Sequence, residues 1–125
     1  MKNSQYIDYV LDALLSLQLG SMKVRKMFGG YGIYQDGIFF ALIANNILYF
    51  KVDDSNRLMY ESHGSKPFSY AGKNNTTVIM SYWEVPADIL ENHNTLIEWV
   101  KKAVEVARLA KKSVKPKVKS IKIIK

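Results

Sequence analysis

The stretch "IYQDGIFFALIANNILYFKV", residues 33–52, decides the architecture of this chain. Asp36-Gly37 and Asn45-Asn46 divide it into three short runs rich in isoleucine, phenylalanine and tyrosine. Such dipeptides tolerate the positive dihedrals of two-residue hairpin turns. The prediction is an antiparallel meander over Ile33–Gln35, Ile38–Ala44 and Ile47–Val52. In the second run both alternating faces are apolar, and the same holds for much of the third. An antiparallel sheet with one watery face alternates apolar with polar residues, so this sheet is expected to be covered on both sides. The second cover is left open between a homodimer contact, a site for an extended peptide, and a terminal helix wrapped around the sheet.

Outward from the meander, the preceding segment Lys26–Tyr34, "KMFGGYGIY", places three glycines within four residues. A phosphate-holding loop aims backbone N–H groups at an anion from the start of a helix. This cluster leads into strand signals, lacks the Gly-Lys-Ser/Thr ending and does not fit G-x-G-x-x-G. It reads instead as a backbone bend into the first strand, or as a place of close approach. Upstream, Ile7, Val10, Leu11, Leu14 and Leu17 form one helical stripe, with Ser4 as its expected cap and Gly20 as its end. Downstream, a short helix from a cap at Asp53 or Asp54 to Gly64 is expected. Strands over Lys66–Ala71 and Thr76–Trp83 follow. A helix then begins at Pro86, breaks at Asn92–Asn94 and restarts on the capping-box spacing of Thr95 and Glu98. Leu96, Trp99, Val100, Ala103, Ala107 and Ala110 give it an apolar face. The fold class is therefore α+β, in the order α-β-β-β-α-β-β-α, with a mainly antiparallel five-stranded sheet packed with helices.

Composition narrows the function. The 125 residues can bury one sizeable core, expected over residues 1–110 as a single domain. No run approaches the roughly 20 apolar residues of a membrane span, so a cytoplasmic protein without a membrane partner is expected. The absence of cysteine excludes disulfides and thiol chemistry. The net charge of +7 is localised: residues 1–110 hold equal numbers of basic and acidic side chains. The excess lies in "KKSVKPKVKSIKIIK", residues 111–125, a tail expected to be flexible and solvated. Lys111, Lys112, Lys115, Lys117, Lys119 and Lys122 are its candidate nucleic-acid contacts, by phosphate neutralisation alone, since the tail has neither arginine nor aromatic side chains.

Little else reads as chemistry. His63 and His93 lack a metal-ligand spacing. Adjacent Ser62 and His63 do not make a nucleophile and its base, which must meet through folding. Asp53-Asp54 suits helix capping better than acid-base work, and the segment fails the calcium-loop pattern. No catalytic residue, cofactor or metal is expected, and the chain reads as a non-enzyme.

Several ordered motifs resemble one family. Arg25-x-Met27-Phe28-Gly29-Gly30-Tyr31-Gly32-Ile33-Tyr34 is followed by Asp36-Gly37-x-x-Phe40 and Leu48-Tyr49-x-Lys51-Val52-Asp53. Pro67-Phe68-x-Tyr70, Met80-Ser81-Tyr82-x-x-Val85-Pro86 and Trp99 complete the set. From Met22 to Arg108 the chain is similar to the N-terminal domain of the TfoX/Sxy competence regulators. The resemblance implies a small α+β domain similar to secretion-chaperone folds, in bacterial cytoplasm. It also implies a part in expressing DNA-uptake genes together with a cyclic-AMP-responsive transcription factor, and it supplies no catalytic residues. Full-length members carry a further helical domain, so a stand-alone regulatory or adaptor module is expected. Its candidate partner or dimer surface comprises Arg25, Tyr31, Phe39, Ile43, Lys66 and Tyr82. The alternative is a nucleic-acid-binding accessory that uses the lysine-rich tail.

Overall fold

The computed structural model describes the backbone of residues 2–27 and 29–124 and the side chains of residues 5–27 and 29–111. Helix α1 spans Lys2–Leu15 and is followed by strands β1 (Met22–Met27), β2 (Gly30–Gln35), β3 (Ile38–Ala44) and β4 (Ile47–Lys51). A short helix α2 (Arg57–Glu61) leads to the hairpin of β5 (Pro67–Ala71) and β6 (Thr77–Glu84). Helices α3 (Ala87–Leu90) and α4 (His93–Ile124) complete the chain. The described strands form one sheet in the order β1-β2-β3-β4-β6-β5, antiparallel at each pairing.

The sheet has six strands among the described residues, not five. The additional strand is β1, and Met27 pairs with Gly30, leaving residues 28 and 29 as a two-residue connection. The glycine cluster is thus a hairpin turn between two strands and not a bend into the first. Gly29 takes φ +74°, a left-handed conformation that costs a residue without Cβ little. The two turns expected from the sequence are present: Asp36 and Gly37 have φ of 49° and 85°, and Asn45 and Asn46 have 53° and 61°.

One register shift sorts the apolar residues of β3. Ile33 pairs with Ala41 but Tyr34 pairs with Phe39, so Phe40 is the extra residue of a β-bulge. Phe40 and Ala41 consequently both join the core, beside Ile33, Ile43, Leu48 and Phe50 from the same sheet face. Ile7, Val10 and Leu14 of α1, Tyr60 of α2, Ile89 and Leu90 of α3, and Leu96, Trp99 and Val100 of α4 belong to that one cluster. Among the described residues, all four helices therefore pack on a single face. Leu42 and Tyr82, which point the other way, are buried but lie outside the cluster.

The helix boundaries correct two expectations. Helix α4 is capped by Asn92, whose Oδ1 accepts the Thr95 N–H at 3.1 Å and whose carbonyl accepts the Leu96 N–H at 2.8 Å. Thr95 is thus a residue of the first turn and not the cap. Asp53 closes a turn of its own: one carboxylate oxygen accepts both the N–H and the hydroxyl of Ser55, at 2.8 and 2.6 Å. These bonds hold the Asp53 carboxyl below the usual range. Helix α1 already begins at Lys2, and the side chain of Ser4 lies outside the described residues. The last helix carries the lysine-rich segment to Ile124.

Candidate interaction face

The face turned away from the helices carries residues of β1, β2, β3, β4 and β6, with β5 at one edge. A row of rings crosses its middle. Tyr34 stacks on Phe39 at 5.2 Å between centroids, and Phe39 meets Tyr82 at 5.5 Å. Cations terminate both ends: Arg25 lies 6.0 Å from the Tyr34 ring, and Lys51 lies 5.0 Å from the Tyr82 ring. The pairs follow from register, since Tyr34 opposes Phe39 and Lys51 opposes Tyr82. Lys51 Nζ also donates to Ser81 Oγ at 2.7 Å, and partial burial lowers its pKa. Burial, with Tyr34 nearby, pushes the Tyr82 hydroxyl up to about 12.

Beside this row lies an apolar groove of about 420 Å³. Met27, Leu42 and Ala44 form one side, and Phe68, Tyr70 and Met80 form the other. The two sides are separated by intervening strands in the sheet order. Their approach follows an irregularity in the β5–β6 hairpin, where Pro67 pairs with Trp83 but Ser69 pairs with Ile79. Such a displacement bends a hairpin out of the plane of the sheet. Gly32 deepens the face further, because a Cβ there would meet Met27 Cε at 2.6 Å and Phe39 Cε1 at 2.9 Å. The missing side chain lets both neighbours settle over the strand.

The residues singled out in the sequence divide between the two faces. Arg25, Phe39 and Tyr82 share the open face. Tyr31 and Ile43 oppose each other in the register of the helix face. Ile43 is only 3% exposed and belongs to the core cluster, and with Tyr31 it also lines the apolar groove. Lys66 is exposed immediately before β5, and its carbonyl accepts the Glu84 N–H at 2.9 Å. Lys111 lines a second hollow with Ala107 and Ala110 of α4, beside Tyr34, Phe39, Lys51 and Tyr82, so the end of that helix borders the aromatic row. The side chains of Lys112, Lys115, Lys117, Lys119 and Lys122 lie outside the described residues.

Sequence reasoning missed Met27, Leu42, Phe68, Tyr70 and Met80 as one site. Phe68 and Tyr70 alternate along β5, as Met80 and Tyr82 do along β6, and that period of two was the available signal. The histidines take structural places. His63 Nδ1 lies 2.9 Å from the Met59 carbonyl and its ring meets Trp99 edge-on, while His93 opens α4. No helix among the described residues is long and apolar enough to cross a membrane.

A six-stranded antiparallel sheet, helices packed on one face and an aromatic, cation-bounded surface on the other, bordered by the end of α4, define a small α+β domain. The chain belongs to the TfoX N-terminal domain family, whose model matches residues 13–107. It is also similar to the DNA transformation protein TfoX1 of Aliivibrio fischeri, with 27% identity over 100 residues. That alignment covers 80% of this chain and 47% of the relative, so the chain spans about half the length of the curated relative.

Proposed function

We propose that this chain is a non-enzymatic regulatory module that acts in the bacterial cytoplasm through protein partners, in the transcriptional control of competence for DNA transformation. The observation that carries this reading is the open sheet face. It is apolar and aromatic, it lies opposite the core that the four helices share, and only the end of α4 borders it among the described residues, as suits a surface reserved for another macromolecule. The family and the name of its Aliivibrio relative support the competence setting.

The test is a pair of substitutions on adjacent strand faces. Phe39→Asp places a carboxylate on the open face and should leave a folded domain by circular dichroism. Ile43→Asp buries a charge in the core and should unfold it. In a transformable bacterium lacking its own TfoX-N protein, the intact chain should restore DNA uptake and Phe39→Asp should not. Full activity of a folded Phe39→Asp variant would refute the use of this face. Light scattering on the same pair tests whether the partner is a second copy.

The alternative is a nucleic-acid-binding accessory, favoured by the seven lysines and no acid of residues 111–125. Binding to duplex and single-stranded DNA across a salt series, with and without those residues, separates the two. Tight, steeply salt-dependent binding that vanishes on truncation supports the alternative, and no binding by the intact chain refutes it.

A further inference from the structure

We infer that the groove of Met27, Leu42, Phe68, Tyr70 and Met80 receives an extended protein segment with an apolar centre and acidic ends. This inference rests on the protein-partner reading above and names the chemistry of that partner. Charge complementarity carries it. Lys23 and Arg25 precede Met27 on β1, Lys66 precedes Phe68 next to β5, and Lys51 stands at the end of the aromatic row. Glu84 is the one acidic residue within the strands. None of the salt bridges among the described residues engages Lys23, Arg25, Lys51 or Lys66. Lys23, Arg25 and Lys66 are exposed and therefore available to a ligand, Lys51 already donates to Ser81, and apart from Glu84 the acids of the chain lie at a hairpin turn, around α2 and on α1, α3 and α4.

Spacing gives the ligand its form. Arg25 is two residues from Met27, and Lys66 is two residues from Phe68, which at strand geometry is roughly 6.8 Å beyond each wall of the groove. The lining offers thioether, aliphatic and aromatic surface, with Tyr70 contributing the only polar side-chain tip besides Tyr31. A small ligand held inside would lack the convergent polar groups that fix orientation in such sites. An extended segment places apolar side chains in the groove and its own carboxylates over the rims.

Other occupants fit less well. A second copy docked through the same face would bring the same excess of cations to both sides, because a two-fold interface is one patch used twice, and the strands supply only Glu84 to offset them. Single-stranded nucleic acid would gain from the cations but needs free rings for stacking. Tyr82 is only 6% exposed and Phe39 is engaged by both Tyr34 and Tyr82, which leaves Tyr70 as the one exposed ring among the described residues of the row and groove.

The test is selection from random peptides of about twelve residues, long enough at roughly 3.3 Å each to cross the groove and both rims. The target is the intact chain. Selected peptides should carry alternating apolar residues with Asp or Glu about two positions outside them. Their affinity, read by fluorescence anisotropy, should fall roughly tenfold or more in the Arg25→Glu/Lys66→Glu variant, and a lysine-flanked version of the same peptide should regain it. Tyr70→Glu should also abolish binding while preserving the circular dichroism spectrum. The inference is overturned by peptides without acidic flanks, by affinity indifferent to charge reversal, by failure to select any peptide, or by competition from oligothymidylate. A dimer in solution that Tyr70→Glu dissociates would assign the groove to a second copy and overturn it too. If no peptide is selected yet Phe39→Asp still abolishes restored DNA uptake, the partner reading stands and this inference alone falls.

Discussion

Replacing Tyr60 by phenylalanine should stabilise the domain. Tyr60 has no solvent exposure, its ring centroid lies 4.4 Å from that of Trp99 and 6.4 Å from that of Trp83, and its hydroxyl has no hydrogen-bond partner among the described residues. A buried polar group in that position bears a desolvation penalty of about 1–3 kcal/mol without a compensating bond. Tyr60→Phe removes the hydroxyl and keeps the aromatic packing, so the expected gain is about 1–2 kcal/mol. For a domain of this size that corresponds to a rise in Tm of about 4–8 °C per kcal/mol. Urea denaturation should show a higher midpoint at unchanged slope. A second arm uses pH. Burial raises the Tyr60 pKa above its ordinary 10.0, so the folded state keeps the neutral phenol while the unfolded chain ionises. The resulting stability is fully present below pH 10 and is lost as pH rises above it, at about 1.4 kcal/mol per pH unit. Tyr60→Phe should abolish that part of the alkaline decline. Loss of stability in the variant at pH 7 would refute the reasoning, since it would mean that the hydroxyl is satisfied in the folded state.

Tyr82→Phe should remove a further part of the alkaline decline between about pH 10 and 12, the window set by the ordinary value and the raised one, as read by urea midpoints across that range, with Tyr6 and Tyr49, also raised by burial, contributing the rest. Asn56→Ala should cost about 1–3 kcal/mol in the same assay. Asn56 is 1% exposed, its Oδ1 accepts the Asp53 N–H at 2.8 Å, and its Nδ2 donates to the Lys51 carbonyl at 3.2 Å, so truncation leaves two backbone groups without partners. Gly32→Val should cost about 1–3 kcal/mol by forcing Met27 and Phe39 aside, and should weaken peptide binding at the groove more than a groove-distant substitution of equal cost. Asn92→Ala should cost about 1 kcal/mol by removing the cap of α4, whereas Thr95→Ala should cost less, with the reverse order refuting the cap assignment.

Local signals predicted local structure well. Asp36-Gly37 and Asn45-Asn46 turn where their left-handed tolerance allows, and Ile7, Val10, Leu14 and Leu17 are buried as their spacing requires. The strand β1 escaped notice because Met22-Lys23-Val24-Arg25 alternates as a half-exposed strand does, while three cations among six residues resemble a surface loop. Its turn also sits inside the glycine cluster, whose unusual density drew attention to phosphate chemistry. The cap of α4 was misplaced because Asn92 and Thr95 are both good capping residues three positions apart, and only the hydrogen bonds choose between them. The apolar character of both faces of β3 was legible, but its partition was not. The bulge at Phe40 sends two consecutive residues to the helices, and nothing in Phe39-Phe40-Ala41 announces it. The groove was least legible, since it joins Met27 and Leu42 to Phe68 and Met80 through a bend in a distant hairpin.

The glycines of residues 29–32 serve the face without holding any anion. The turn at Gly29 folds β1 back along β2, which adds an edge strand and brings Arg25 and Met27 onto the open face. Without that strand, Tyr34 would lose its cation and the groove would lose Met27 from one wall. Gly32 then lowers the floor between them, where a side chain would collide with Met27 and Phe39. The same short stretch thereby determines both the depth of the apolar surface and the position of the charge beside it. A ligand that reads this face must match the two together, because Arg25 and Met27 are fixed two residues apart on one strand. On the partner reading proposed above, this coupling makes the stretch around Gly29–Gly32 the one that sets which ligand the face can accept.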